Sequence, residues 1–148
     1  MDTIDKTILN RIQSDFPIVS RPYAAIAEEI GISESDVMNR VRHLKTLGVI
    51  RRIGGNIVPG KLGFVSTLCA AKVPADQIDH FAKVVNGYPG VTHNYVRNHP
   101  YNVWFTFIAP SRKIIEQALS DISEKTGVKN ILNLPATKVF KIKAQFEV

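Results

Sequence analysis

The chain reads as an α+β protein in two parts, an N-terminal winged helix-turn-helix followed by a ferredoxin-like βαββαβ domain. Three observations carry this reading. Before residue 48, three short segments repeat apolar residues at helical spacing, and Gly31 marks the turn before the third. Beyond residue 60, period-two alternations and helical stripes interleave as strand, helix, strand, strand, helix, strand. Between them "PGKLG" punctuates the pattern. A chain of 148 residues suits two small domains, placed at residues 1–60 and 61–148.

Ile4, Ile8, Leu9 and Ile12 form the first helical stripe, with Asp2 or Thr3 as N-cap and "DFP" as the stop. "YAAIAEEI" fits a second helix ended by Gly31. Ser33 caps a third, "SESDVMNRVRHLKTLG", with Asp36 three residues on, Gly48 as its stop, and Val37, Val41, Leu44 and Leu47 as its buried stripe. "VIRRI", "GG" and "NIV" then read as the strand, turn and strand of a wing.

"FVSTLCAAKV" predicts the first strand of the second domain. "ADQIDHFAKVVNGY" predicts a helix with Ile78, Phe81, Val84 and Val85 inward. "GVTHNYVR" and "YNVWFTFI" predict two strands around a turn at Asn98–Pro100. "SRKIIEQALSDISEKTG" is a second helix, packing through Ile114, Ile115, Leu119 and Ile122, and "VKNILNLP" a fourth strand. "TKVFKIKAQFEV" alternates Phe140, Ile142, Ala144 and Phe146 with polar residues and reads as a terminal strand. "YNVWFTFI" is apolar on both faces, whereas helices cover only one face of such a sheet, so the second face calls for another subunit.

The N-terminus lacks the basic, apolar and small-residue succession of a signal peptide, and no apolar run approaches the ~18 residues of a membrane span. The expectation is a cytoplasmic protein with no membrane contact. A single cysteine, Cys69, excludes an internal disulfide and any CxxC metal site. Four histidines without an HxxxH-like pair argue against a dedicated protein metal site. The formal net charge of +6 suits an anionic partner, either DNA or a small polyanion. Asn39, Arg40, Arg42 and His43 on the third helix could read a major groove, or form a solvated face. Arg51 and Arg52 could meet phosphates.

The chemistry concentrates in "HNYVRNHPYNVW". By strand periodicity His93, Tyr95 and Arg97 share one face, His99 sits in the turn, and Tyr101, Asn102 and Trp104 begin the return strand. Arg97 can hold a carboxylate through two parallel hydrogen bonds. The aromatic residues can offer flat apolar contact, or serve as core or subunit packing.

Along nearly its whole length the chain resembles the Lrp/AsnC family, through "IDKTILNRIQSD", "AAIAEEIGISESDVMNRVRHLKTLGVIRR" and "LGF" leading into the second domain. That resemblance implies an Lrp/AsnC-type ligand-binding domain and, as one reading, a DNA-binding transcription regulator. The family's effector turn contains glycine and aspartate; here it is "RNHPYN", with neither glycine nor acid. "GVIRRIGGNIVPGKLGF", "HNYVRNHPYNVWFTF" and "LNLPATKVFKIKAQF" are similar to the siroheme decarboxylases, an enzyme branch on the same scaffold. This narrower resemblance implies a carboxy-lyase that removes carbon dioxide from the C12 and C18 acetates of siroheme, giving 12,18-didecarboxysiroheme for alternative heme or heme d1 biosynthesis. It implies no cofactor beyond siroheme and its iron, and a paralogous subunit or a second copy as partner. On that reading His93, Arg97 and His99 are catalytic candidates, and Tyr95, Tyr101, Asn102, Trp104, Arg51 and Arg52 bind substrate. Histidine suits proton delivery near neutral pH, and His93 is the first candidate because Tyr95 and Arg97 share its face.

Overall fold

A computed structural model of the chain describes residues 1–55, 57–141 and 146–148. Residues 1–55 and 141–148 form one compact unit, and residues 56–140 the other. Residues 146–148 thus pack with the helical unit, whereas the sequence reading places them in the second domain.

In the first unit, α1 (Thr3–Ser14) starts on a reciprocal cap. The Asp2 carboxylate accepts from the Asp5 backbone N–H at 2.8 Å, and the Asp5 carboxylate accepts from the Asp2 N–H at 3.0 Å. Helix α2 (Pro22–Ile30) opens with proline at its first position, where the missing N–H costs nothing, and ends at Gly31, whose φ of 79° needs a residue without Cβ. Ser33 caps α3 (Glu34–Thr46) by accepting from Asp36 N–H at 3.1 Å. Ile8, Ile26, Val37, Val41 and Leu44 close the core between the three helices. Leu47, expected in the buried stripe, is 59% exposed, because the helix ends at Thr46 and Gly48 turns the chain.

The predicted wing is not a hairpin in this chain: residues 49–55 and 57–58 carry no strand, and Asn56 lies outside the described residues. Ile53, Ile57 and Val58 are exposed there, so among the described residues nothing buries the apolar side such strands would need. The predicted terminal strand is likewise absent from residues 137–141 and 146–148; its centre, 142–145, lies outside the described residues. Phe146 and Val148 are instead held on α1. The Gln13 amide exchanges hydrogen bonds with the Phe146 backbone at 2.5 and 3.0 Å, and the Asn10 amide does so with Val148 at 3.3 Å each way.

The second unit is a four-stranded antiparallel sheet in the order β2-β3-β1-β4, built from β1 (Val65–Ala71), β2 (Val91–Val96), β3 (Val103–Ala109) and β4 (Ile131–Leu134). Helices α4 (Ile78–Asn86) and α5 (Arg112–Thr126) cover one face. Phe81, Val85, Ile115, Leu119 and Ile122 pack there against Cys69, Ala71, Val103, Phe105 and Phe107. Ile114, expected inward, is 43% exposed. Strand β3 alternates buried and half-buried residues along its length, so one face is core and the other is open. The open face carries Leu68, Leu132 and Leu134 of the neighbouring strands, each around two-fifths exposed at 42%, 38% and 42%. None of the chain's described helices is long and apolar enough to cross a membrane.

Candidate functional site: the open face of the β2–β3 hairpin

The site begins with a conflict in the sequence. Strict alternation puts Val91, His93 and Tyr95 on the same face, yet valine belongs in the core and the other two do not. A bulge resolves it. Val91 pairs with Phe107, but His93 pairs with Thr106, so two steps along β2 match one along β3. Thr92 is the extra residue. Val91 stays packed on the helix-covered core, while His93 and Tyr95 emerge on the open face beside Thr106 and Trp104. Gly90 holds the entry to this strand. Its carbonyl accepts from Ile108 N–H at 2.8 Å, and a Cβ there would stand 2.3 Å from both Ile108 O and the Phe107 ring.

On the open face the His93 and Tyr95 rings stack at 6.0 Å between centroids, with 29° between their planes. The Arg97 guanidinium carbon lies 6.0 Å from the Tyr95 ring and 6.0 Å from the Trp104 ring, between two electron-rich faces. At the tip, Arg97 N–H donates to Asn102 O at 2.8 Å and Trp104 Nε1–H to Tyr101 O at 2.6 Å. His99 sits 6.3 Å from Tyr101 and 6.1 Å from Trp104, ring to ring. Of the nine candidates, six therefore share this face and tip: His93, Tyr95, Arg97, His99, Tyr101 and Trp104.

The other three do not. Asn102 is turned away, its amide donating to Val73 O at 2.8 Å and accepting from Val73 N–H at 2.9 Å. It ties the hairpin tip to the loop after β1. Arg51 and Arg52 belong to the first unit, where they line a cavity of about 770 Å³ with Ile12, Phe16, Ile53 and Phe146. Among the described residues, neither makes a salt bridge.

The two histidines are held differently. His99 Nδ1 accepts from the Tyr101 backbone N–H at 3.1 Å. A backbone N–H can only donate, so this bond assigns the neutral ring's proton to Nε2. His93 Nδ1 lies 3.0 Å from the Thr92 hydroxyl, which can donate or accept. Among the described residues, both leave Nε2 without a hydrogen-bond partner. From His93 to Trp104 the sequence contains no acid, and Arg97 adds a fixed positive charge, so the surface suits an anion with a flat apolar body. His93, Tyr95, Arg97 and His99 are all exposed in the single chain: they make one wall, not an enclosed cavity.

Sequence reasoning missed Thr92, Thr106 and the leucines of the same face. The parity conflict between Val91 and His93 was the available signal for the bulge. His43 and His80 are exposed on α3 and α4, and Cys69 is fully buried under the helices, where burial pushes its thiol up to about 12.

The chain is similar to known proteins in sequence and in fold. Residues 61–141 match the AsnC-like ligand binding domain, and residues 5–51 match the siroheme decarboxylase NirDL-like HTH domain. The siroheme decarboxylase alpha subunit of Desulfovibrio desulfuricans is 53% identical over 148 residues, covering 100% of this chain and 85% of that protein. The crystal structure of siroheme decarboxylase NirDL in co-complex with an iron-uroporphyrin III analogue superposes with a TM-score of 0.71 at 32% identity, over 97% of this chain and 47% of that one. The leucine response regulatory protein LrpA of Mycobacterium tuberculosis, at 21% identity and a TM-score of 0.83 over the whole of both chains, shares the fold. On this combination of sequence and architecture, the chain belongs to the siroheme decarboxylase family, built on the Lrp/AsnC scaffold.

Proposed function

We propose that the chain is a subunit of a siroheme decarboxylase, acting on the C12 and C18 acetates to give 12,18-didecarboxysiroheme, and that the open hairpin face is one wall of its substrate site. The observation that supports this most is the bulge-directed grouping of His93, Tyr95, Arg97 and Trp104 on an acid-free face. The rings form flat apolar contact for the macrocycle, and Arg97 clamps a carboxylate in register. The exposed wall and its leucine neighbours are completed by a paralogous subunit laid on the open face, making a heterodimer.

In the reaction, the bond between an acetate's methylene and carboxyl carbons breaks, and carbon dioxide leaves. The electron pair stays on the methylene and spreads into the attached pyrrole. A proton from His93 Nε2 then forms the new C–H bond of the methyl product, and solvent reprotonates the ring. His99 is the anchor: with Nδ1 accepting a backbone N–H, giving up its Nε2 proton would leave an imidazolate, so it serves as a hydrogen-bond donor to a carboxylate. The substrate supplies its own electron sink.

The regulator reading is weakened at the third helix. Arg40 donates to both Asp2 and Asp5 at 2.7 Å, which neutralises a central cation of the DNA-reading face, and Arg42 donates to Asn39 at 2.9 Å. The deciding experiment is anaerobic incubation of siroheme with the purified chain, alone and with its paired subunit, followed by mass analysis. Loss of two carboxyl groups is expected, slowed in His93→Ala and Arg97→Ala without unfolding. Unchanged siroheme in every combination of folded protein overturns the proposal.

A further inference from the structure

We infer that Thr92 is a positioning residue for proton delivery, acting through His93; this rests on the decarboxylase reading above. Thr92 is the residue inserted between the core-facing Val91 and the outward-facing His93, so the backbone feature that aims the imidazole also sets a hydroxyl beside it. Its Oγ1 lies 3.0 Å from His93 Nδ1.

The chemical property that matters is that a hydroxyl works in both directions. Before transfer, the imidazolium carries protons on both nitrogens, and Nδ1–H donates to Thr92 Oγ1. The Nε2 proton passes to the substrate methylene carbon, forming its C–H bond. The product imidazole keeps its proton on Nδ1, and the hydrogen bond to Thr92 persists. When Nε2 is reprotonated from solvent, that bond again needs no rearrangement. Should the neutral ring hold its proton on Nε2 instead, the hydroxyl rotates and donates to Nδ1. The ring therefore cycles between charge states without losing its orientation.

His99 provides the contrast within the same hairpin. Its Nδ1 partner is the Tyr101 backbone N–H, which cannot accept, so an imidazolium at His99 would break the bond that orients it. The two histidines are thus assigned different tasks by their neighbours. The titratable group facing His93 is Tyr95, stacked on it from the same strand, with Arg97 beyond; its pairing partner on β3, Thr106, does not titrate.

The test compares wild type, Thr92→Val and Thr92→Ser in the assembled enzyme, with kcat, KM and the pH profile of kcat measured anaerobically. Valine keeps the branched shape and removes the hydroxyl; serine keeps the hydroxyl. Losing a hydrogen bond to a charged ring corresponds to roughly ten- to hundredfold in rate. Thr92→Val is expected to lose about that much kcat, to shift the pH profile, and to leave KM within about twofold, while Thr92→Ser restores most of the rate. Nitrogen NMR of labelled histidine reads His93 independently of turnover, and its Nδ1 resonance should move in Thr92→Val, which lacks the hydroxyl partner, and stay near the wild-type position in Thr92→Ser. Wild-type kcat and pH profile in a folded Thr92→Val protein overturn the inference, as does equal loss in valine and serine variants. A wild-type assembly without decarboxylation would instead overturn the reading on which it rests, and the NMR result would still decide whether Thr92 holds His93 Nδ1.

Discussion

Replacing Arg97 separates a covered site from an exposed one. In the single chain the guanidinium is exposed between the Tyr95 and Trp104 rings, 6.0 Å from each. If a bound substrate left it in water, a carboxylate pairing with it would contribute at most about 1 kcal/mol, or roughly fivefold in affinity. If macrocycle and partner subunit cover it, each charge-assisted hydrogen bond of the fork contributes about 1.5 kcal/mol, and two give on the order of a hundredfold. Arg97→Lys keeps the charge but presents a point donor in place of the planar fork, so about one of the two bonds is lost, roughly tenfold. The assay is anaerobic titration of siroheme followed by its absorption spectrum, with wild type, Arg97→Lys and Arg97→Ala in the assembled enzyme. The expected order is about tenfold weaker for lysine and about a hundredfold for alanine. A loss of no more than about fivefold for alanine would refute an enclosed carboxylate clamp.

Other consequences concern the frame. Gly90→Ala should destabilise the chain by about 2–4 kcal/mol in urea unfolding, because its Cβ would meet a backbone oxygen at 2.3 Å that cannot swing aside. Cys69 should resist alkylation at pH 8 until denaturant is added: with its thiol pushed up to about 12, the thiolate fraction is on the order of one in ten thousand. The Asp5 N–H and the Arg40 guanidinium hold the Asp2 carboxyl below its ordinary 3.8, and Arg40 followed by the Asp2 N–H does the same at Asp5. A lowered folded-state value stabilises above the ordinary pKa and is lost as pH falls through the folded one. Wild type should therefore be more heat-stable than Arg40→Ala at neutral pH, and melting curves should converge below about pH 4.

Much of this was legible in the residues because local and tertiary demands agree. Asp2, Ser33 and Gly31 mark helix ends by chemistry that needs no distant partner, and the strand and helix order follows from periodicity alone. The grouping of His93, Tyr95 and Arg97 was also readable, though strict alternation from Val91 would have turned them inward. What escaped depends on partners far along the chain. Asn102 looks like a site residue until the Val73 backbone is found opposite it. The terminal alternation suggests a strand, yet Phe146 and Val148 meet side-chain amides of α1. The wing has the residues of a hairpin, but among the described residues Val49, Ile53, Ile57 and Val58 stay exposed.

The central claim is that substrate lies against the β2–β3 hairpin, and the four histidines provide an internal control. All are exposed: His93 and His99 on the hairpin, His43 on α3 and His80 on α4. Acylating the assembled enzyme with diethyl pyrocarbonate, with and without saturating siroheme, and quantifying each site by peptide mass analysis reads substrate contact directly. Strong protection of His93 and His99 is expected, with unchanged modification of His43 and His80. Equal modification of His93 and His99 in both conditions would contradict it.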